Sequence, residues 1–295
     1  MKILLIRHAE SSNNVLSAKI KEEVKATFGT QTQRWKQEYK HAYQLVRSSD
    51  PDLSEVGVQQ AASMGRFVAN YLQDLNKEAV IFTSGMQRAI LTAKPLSLAI
   101  GTKMAIRRDL HEVGGVYASR EGKSGIVHSE ERSATREEFT KKFGDIIGDV
   151  SDLPESGGWY TLGHKEDKAQ AAARAGRVCN WLISKELRDS IGNKVCIIVS
   201  HGAFMDFIVK TLLLCGSQEI LKTTATFAPI NTSITEMEFD SKDTQHINIT
   251  LGNAKHLAIC PSPSRSPPLA FFAGLVCGVA SALTLVALMG RRTSK

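Results

Sequence analysis

Short apolar runs recur along the chain, and each breaks off into polar residues. They cover Lys2–Ile6, Ala79–Thr83, Val195–Ser200 and Ser233–Phe239, with a weaker one at Lys103–Ile106. Runs this short and this uniformly apolar suit strands buried on both faces, as in a parallel sheet held between helices. Longer segments with helical spacing lie between them: Glu55–Leu75, Gln87–Ala99, Lys165–Ser190 and Ala203–Leu214. In the first, Val56, Ala61, Met64, Phe67, Val68 and Tyr71 share one stripe, and Ser54 stands where an N-cap belongs. The alternation predicts an α/β three-layer sandwich, with a mostly parallel central sheet and helices on both faces. Val116–Gly163 fits this pattern poorly. It is polar, contains Gly and Pro, and carries a modest helix signal only around Thr135–Phe143, so it reads as an insertion near one end of the sheet.

The pattern changes after residue 254. Lys255–Pro268, "KHLAICPSPSRSPP", is rich in Pro and Ser without periodicity and reads as a flexible tether. Leu269–Gly290 is then free of charge, and as a helix of about 33 Å it is long enough to cross a bilayer core. A buried helix of the folded domain is the competing reading. The expected organisation is a folded domain over 1–254, a linker over 255–268, a transmembrane helix over 269–290 and a basic tail over 291–295. A segment of this kind, read last by the ribosome, implies a single-pass C-terminal anchor with the domain in the cytosol. Arg291, Arg292 and Lys295 beyond a moderately hydrophobic helix favour the mitochondrial outer membrane over the endoplasmic reticulum. Gly274, Gly278 and Ala282 at four-residue spacing offer a close-packed homodimer face, or merely lower the hydrophobicity.

Charge modifies this picture little. The net charge is +7, from 37 basic and 30 acidic residues. Five of the basic residues (Lys255, Arg265, Arg291, Arg292 and Lys295) lie beyond residue 254, where there is no Asp or Glu, which leaves +2 for residues 1–254. Nothing indicates the basic face that nucleic-acid binding requires. Of the five cysteines, none forms a CxxC pair or stands at zinc-ligand spacing from a histidine. Cys179, Cys196 and Cys215 read as small core residues.

Candidate chemistry lies where the strands end. The first strand runs into Arg7 and His8, and Val195–Ser200 runs into His201 and Gly202. The strand Ala79–Thr83 leads through Ser84 to Arg88 on the first turn of a helix. The carboxyl edge of an open α/β sheet is where ligands bind. If these strands are adjacent, two arginines, two imidazoles and a helix N-terminus converge, a set suited to a phosphate dianion. Singly, each such residue is an ordinary strand-end residue, and that reading is kept for His41, His111, His128, His164, His246 and His256.

"LIRHAESSNN", Leu5–Asn14, resembles the signature of the histidine phosphatase superfamily, phosphoglycerate mutase-like branch. Further blocks follow in order: "LSEVGVQQA" (Leu53–Ala61), "TSGMQRAILTA" (Thr83–Ala93), "LHEVGG" (Leu110–Gly115), "VSHGAF" (Val199–Phe204) and "PINTSIT" (Pro229–Thr235). Ala9 replaces the family's usual glycine, which is accommodated if its φ is negative. The resemblance implies His8 as nucleophile, Arg7, Arg88 and His201 as holders of the phosphate oxygens, and Glu112 as proton donor. Asn14 and Gly202 are implied as phosphate contacts. A dianion beside a carboxyl favours its protonated form, which suits Glu112 to the role. No metal or cofactor is implied. The expected activity is phosphomonoester hydrolysis on a small phosphorylated metabolite or a phosphoprotein at a membrane surface. The alternatives are mutase-type phosphoryl transfer, or an inactive membrane-tethered binding module.

Overall fold

The computed structural model describes residues 1–29, 32–123, 125–214, 221–240, 246–259 and 283–288. A central sheet takes β1 (Lys2–Arg7), β2 (Ala79–Thr83), β3 (Met104–Ile106), β6 (Ile147–Asp149), β7 (Val195–Ser200), β8 (Ile234–Phe239), β9 (His246–Asn253) and β10 (Leu283–Leu288) in the order β10-β9-β8-β1-β7-β2-β3-β6. From β1 through β6 every pairing is parallel, while β8, β9 and β10 add on antiparallel. The strand pleat divides the core. Leu4 and Ile6 of β1, with Val195, Ile197 and Val199 of β7, pack against α3 (Glu55–Asp74) and α4 (Gln87–Ile100). Ile3 and Leu5, with Cys196 and Ile198, face α6 (Lys168–Leu182), α7 (Lys185–Ile191) and α8 (Gly202–Leu213). The α/β layering with helices on both faces agrees with the expectation from the hydrophobic pattern.

Several elements depart from it. Residues 12–46, without an assigned element above, form α1 (Ser12–Phe28) and α2 (Gln33–Val46). The helix expected over Lys165–Ser190 is two helices, because Ile183 closes one and Ser184 caps the next, accepting from Leu187 N–H. The segment 116–163 holds a hairpin, β4 (Tyr117–Gly122) with β5 (Gly125–Glu130), the helix α5 (Arg136–Phe143), and β6, which joins the main sheet as an edge strand. It is therefore partly integral to the sheet rather than purely inserted.

Of the segment expected as a tether, residues 255–259 are described and folded, and residues 260–268 lie outside the described residues. Lys255–Ile259 forms a 3-10 turn, and His256 is fully buried beside Phe67. His256 O accepts from Ser63 Oγ at 2.8 Å, and its Nε2 lies 2.9 Å from Thr232 Oγ1. Nor is the helix expected over Leu269–Gly290 what is found at its end, because Leu283–Leu288 runs as β10 along β9. Its sequence, "LTLVAL", contains β-branched residues, and the open edge of β9 offers unpaired backbone groups to it. Residues 269–282 and 289–290, with Gly274, Gly278 and Ala282, lie outside the described residues, as do Cys215 and the tail 291–295. Among the described residues no helix is long and apolar enough to cross a membrane. Cys179 and Cys196 are buried outside any disulfide, as expected of core residues.

Candidate active site

The parallel register sets Arg7 opposite Ser200, so the residues that follow, His8 and His201, leave the sheet side by side. The His8 N–H donates to Ser200 O at 2.9 Å, and the two imidazoles lie 5.1 Å apart. β2 flanks β7 on its other side, and Ser84 N–H donates to Val199 O. Arg88, on the first turn of α4, is 7% exposed and lies 3.9 Å from a carboxylate oxygen of Asp50. The residues expected at the carboxyl edge of the sheet are thus brought together.

Each has a defined orientation. His8 Nδ1 lies 2.7 Å from Ala9 O, and since a carbonyl only accepts, Nδ1 carries the proton and Nε2 keeps a free lone pair. Burial, then the charges of Arg88 and Arg7, hold the His8 pKa well below the usual imidazole value. His201 is likewise held well below it, by burial and then Arg88. His201 Nε2 is 2.9 Å from Ser84 Oγ, which already accepts from Met86 N–H. Ser84 has a proton to give and a second lone pair to offer, so either tautomer of His201 satisfies Nε2, and His201 Nδ1 is buried without a protein partner. Arg7 donates through one terminal nitrogen to Pro229 O at 2.7 Å, while its buried Nε has no partner. A Cβ on Gly202 would lie 3.1 Å from that Nε, so glycine leaves the guanidinium its place.

Two expectations need refinement. The helix N-terminus after His201 was expected to offer N–H groups to phosphate, but Glu112 takes two of them. Its carboxylate accepts from Phe204 N–H at 3.0 Å, Ala203 N–H at 3.4 Å and Val113 N–H at 2.9 Å. Asn14 stands in the first turn of α1, and its Oδ1 accepts from Ser11 N–H at 3.0 Å in a capping box. That oxygen is therefore committed, and the amide nitrogen is the group left for a ligand. Ala9 is fully buried, donates to Thr92 Oγ1 at 2.8 Å and is not among the positive-φ residues, so alanine is accommodated.

Residues without a distinctive local pattern complete the site. Asn231 donates to His8 O at 2.9 Å and to Asn14 Oδ1 at 3.3 Å. Its block, "PINTSIT", was the signal available for it. Gly57 supports the loop below, since a Cβ there would fall 1.9 Å from Glu10 O. Behind Glu112 lies a buried ion pair. Arg174 Nε and a terminal nitrogen donate to the two oxygens of Glu166 at 2.7 and 2.6 Å. Its other terminal nitrogen donates to Asp109 O and His111 O at 2.7 and 2.8 Å, on the segment that carries Glu112. The Arg174 guanidinium also lies 3.8 Å above the ring of Phe204. His111, read as a strand-end or surface residue, is buried in this layer between Trp159 and Tyr160.

The profile of the histidine phosphatase superfamily (branch 1) matches residues 32–250, well over half of the chain, beginning after the Arg7–His8 motif. No curated protein sequence matches this chain. Solved structures similar to it include a mycobacterial glucosyl-3-phosphoglycerate phosphatase, 17% identical with a TM-score of 0.44, over 82% of this chain and 92% of that one. A phosphoserine phosphatase of Entamoeba histolytica is 18% identical with a TM-score of 0.42, over 81% and 90%. A putative α-ribazole-5'-phosphate phosphatase of Escherichia coli is 13% identical with a TM-score of 0.48, over 86% and 97%.

Proposed function

The chain belongs to the histidine phosphatase superfamily, and from that membership we propose that it hydrolyses phosphomonoesters through a phosphohistidine on Nε2 of His8. The Nε2 lone pair attacks phosphorus as the bond from phosphorus to the ester oxygen breaks. Arg7, Arg88 and His201 take the charge on the non-bridging oxygens. Glu112 gives its proton to the departing alkoxide, then accepts one from the water that attacks the phosphohistidine. Phosphate leaves and His8 is restored. The observation that carries this reading is the pairing of a fixed His8 tautomer with buried nitrogens that lack partners. His8 Nδ1 is committed to Ala9 O, while Arg7 Nε and His201 Nδ1 are buried without protein partners. Uncompensated buried polar atoms are costly, and a bound phosphate accepts from Arg7 Nε–H and from His201 Nδ1 once that nitrogen carries a proton.

Incubation with a phosphomonoester followed by rapid quench tests the chemistry. An alkali-stable, acid-labile phosphoryl group is expected on His8 alone, and His8→Ala lowers kcat/KM by at least about a thousandfold. Activity retained within tenfold would refute the nucleophile.

We propose also that the domain works at a membrane, attached through residues 269–290 and facing the cytosol. The uncharged length of that run supports the reading. The same residues cannot both span a bilayer and supply β10. Carbonate extraction of membranes from cells expressing the full chain, and a version ended after Pro268, separates the two. Resistance of the full chain only, with its domain digested by external protease, supports anchoring. A full chain released by carbonate refutes it.

A further inference from the structure

Deepening the phosphatase reading, on which it rests, we infer a second anion-binding position at the mouth of the site. Arg47 and Lys165 build it on the ring of Tyr117, and it selects phosphomonoesters that carry a second anionic group. Tyr117 opens β4 and is 6% exposed. The Arg47 guanidinium, just past the end of α2, lies 4.2 Å from its ring centroid and donates to Tyr117 O at 3.1 Å. Lys165 Nζ lies 4.7 Å from the same centroid. It also lies 3.2 Å from His128 Nε2, whose Nδ1 is 2.9 Å from Ser119 Oγ. His128 itself stands edge-on to Tyr117 at 5.1 Å. Since an ammonium only donates, His128 receives from Lys165 at Nε2 and is the neutral tautomer with its proton on Nδ1.

The charge balance is what calls for a ligand. The partners of both cations are the Tyr117 carbonyl and ring, the Tyr43 hydroxyl and a neutral imidazole. Among the described residues neither Arg47 nor Lys165 pairs with a carboxylate. Lys2, Arg174 and Lys210, by contrast, pair with Glu236, Glu166 and Asp206. Two cations gathered on one ring with neutral partners leave positive charge that an anion offsets.

The position adjoins the reacting centre from two sides. Gly114 is two residues beyond Glu112, and a Cβ there would lie 3.1 Å from the Tyr117 ring and 3.8 Å from Lys165 Cε. Arg47 precedes by three residues Asp50, whose carboxylate faces Arg88. Arg47 also adds to the positive field at Arg88, whose pKa is lowered first by burial. An ester whose phosphate lies against His8 would thus extend toward Arg47 and Lys165. A guanidinium held by stacking keeps free N–H groups for a phosphate or carboxylate.

Calorimetry on the full chain with propylphosphonate, 3-phosphonopropionate and propane-1,3-bisphosphonate reads the position without turnover. At least one of the two doubly anionic probes is expected to bind about tenfold or more tighter than propylphosphonate. Which one does so distinguishes carboxylate from phosphate. The ratio should shrink with added salt and fall toward one in a combined Arg47→Gln, Lys165→Gln variant. Because each ratio is taken within one protein, general damage to a variant cancels, and the wild-type ratio stands even if the variant does not fold. A wild-type ratio near one, or one that the double substitution leaves intact, overturns the inference. Hydrolysis of propyl phosphate and 1,3-propanediol bisphosphate is measured in parallel. No turnover of either, with the binding preference intact, refutes the phosphatase reading alone, whereas equal turnover and equal binding refute the second position alone.

Discussion

Glu112 caps a helix and is also the proposed acid, and the two tasks make different demands on its atoms. As a cap it needs only lone pairs for Phe204 and Ala203 N–H. As an acid it needs a proton to give. Glu112→Gln keeps one accepting oxygen but no acidic proton, so the loss should depend on the leaving group. An alkyl phosphate should lose about 10²–10⁴ in kcat/KM, while p-nitrophenyl phosphate, whose phenolate leaves unaided, should lose less than about tenfold. Equal losses on both substrates would leave Glu112 a structural cap. The strand-end residues Arg7, His8 and His201 were legible because apolar runs stop on them abruptly, and Arg88 because it follows such a run by a fixed offset. Ser84, Asn231, Asp50 and Arg174 act through hydrogen bonds or ion pairs to distant parts of the chain, and no local periodicity marks such a role. Arg174 looks in sequence like one more polar residue of a helix, yet it is 2% exposed.

At the scale of elements, the Glu166–Arg174 pair joins α6 to the segment bearing Glu112. It closes the loop from both ends, for Glu166 N–H donates to Gly114 O at 3.1 Å and Gly114 N–H donates back to a Glu166 oxygen at 3.3 Å. Arg174→Met leaves the Glu166 carboxylate buried without its partner, and a loss of about 3–5 kcal/mol is expected in chemical denaturation. The ratio of alkyl to aryl phosphate turnover should fall as well, since Glu112 loses its support. A loss below about 1 kcal/mol with an unchanged ratio would make the pair incidental. The same scale shows where the hydrophobic pattern is informative. Strands buried on both faces, and helices pressed on the sheet such as α3 and α4, carry continuous or one-sided apolar patterns. α1 buries only Asn13, Ile20 and Val24 and writes no clear stripe, whereas α2 sets Trp35, Tyr39 and Tyr43 four residues apart in one stacked row although none is fully buried. The break at Ser184 is invisible to periodicity because apolar residues continue on both sides of it.

Across the whole molecule, buried imidazoles couple folding to pH. Burial holds His8, His111 and His201 well below the ordinary value of 6.5 and His256 down to about 4. Above 6.5 neither the folded nor the unfolded chain protonates them. Below it the unfolded chain takes up protons that the folded chain refuses, so stability is lost as pH falls toward the folded-state values. Each of His8, His111 and His201 contributes up to about 1.4 kcal/mol per pH unit in that window. The thermal midpoint should therefore stay nearly level from pH 7.5 to about 6.5 and fall steadily from there to pH 5.5, and a profile that is flat or rising as pH drops below 6.5 would contradict neutral buried histidines. The parallel pairing of β1 with β7 has a further consequence, for biosynthesis. His8 leaves the ribosome roughly 190 residues ahead of His201, an interval of roughly 10–40 s at ordinary elongation rates. Through that interval β1, an apolar strand with a charged end, has neither β7 nor β8 beside it. Contacts this distant in sequence close late. The nascent chain thus holds its nucleophile unassembled until most of the domain has been made, and in that window its first strand is a natural client for a chaperone.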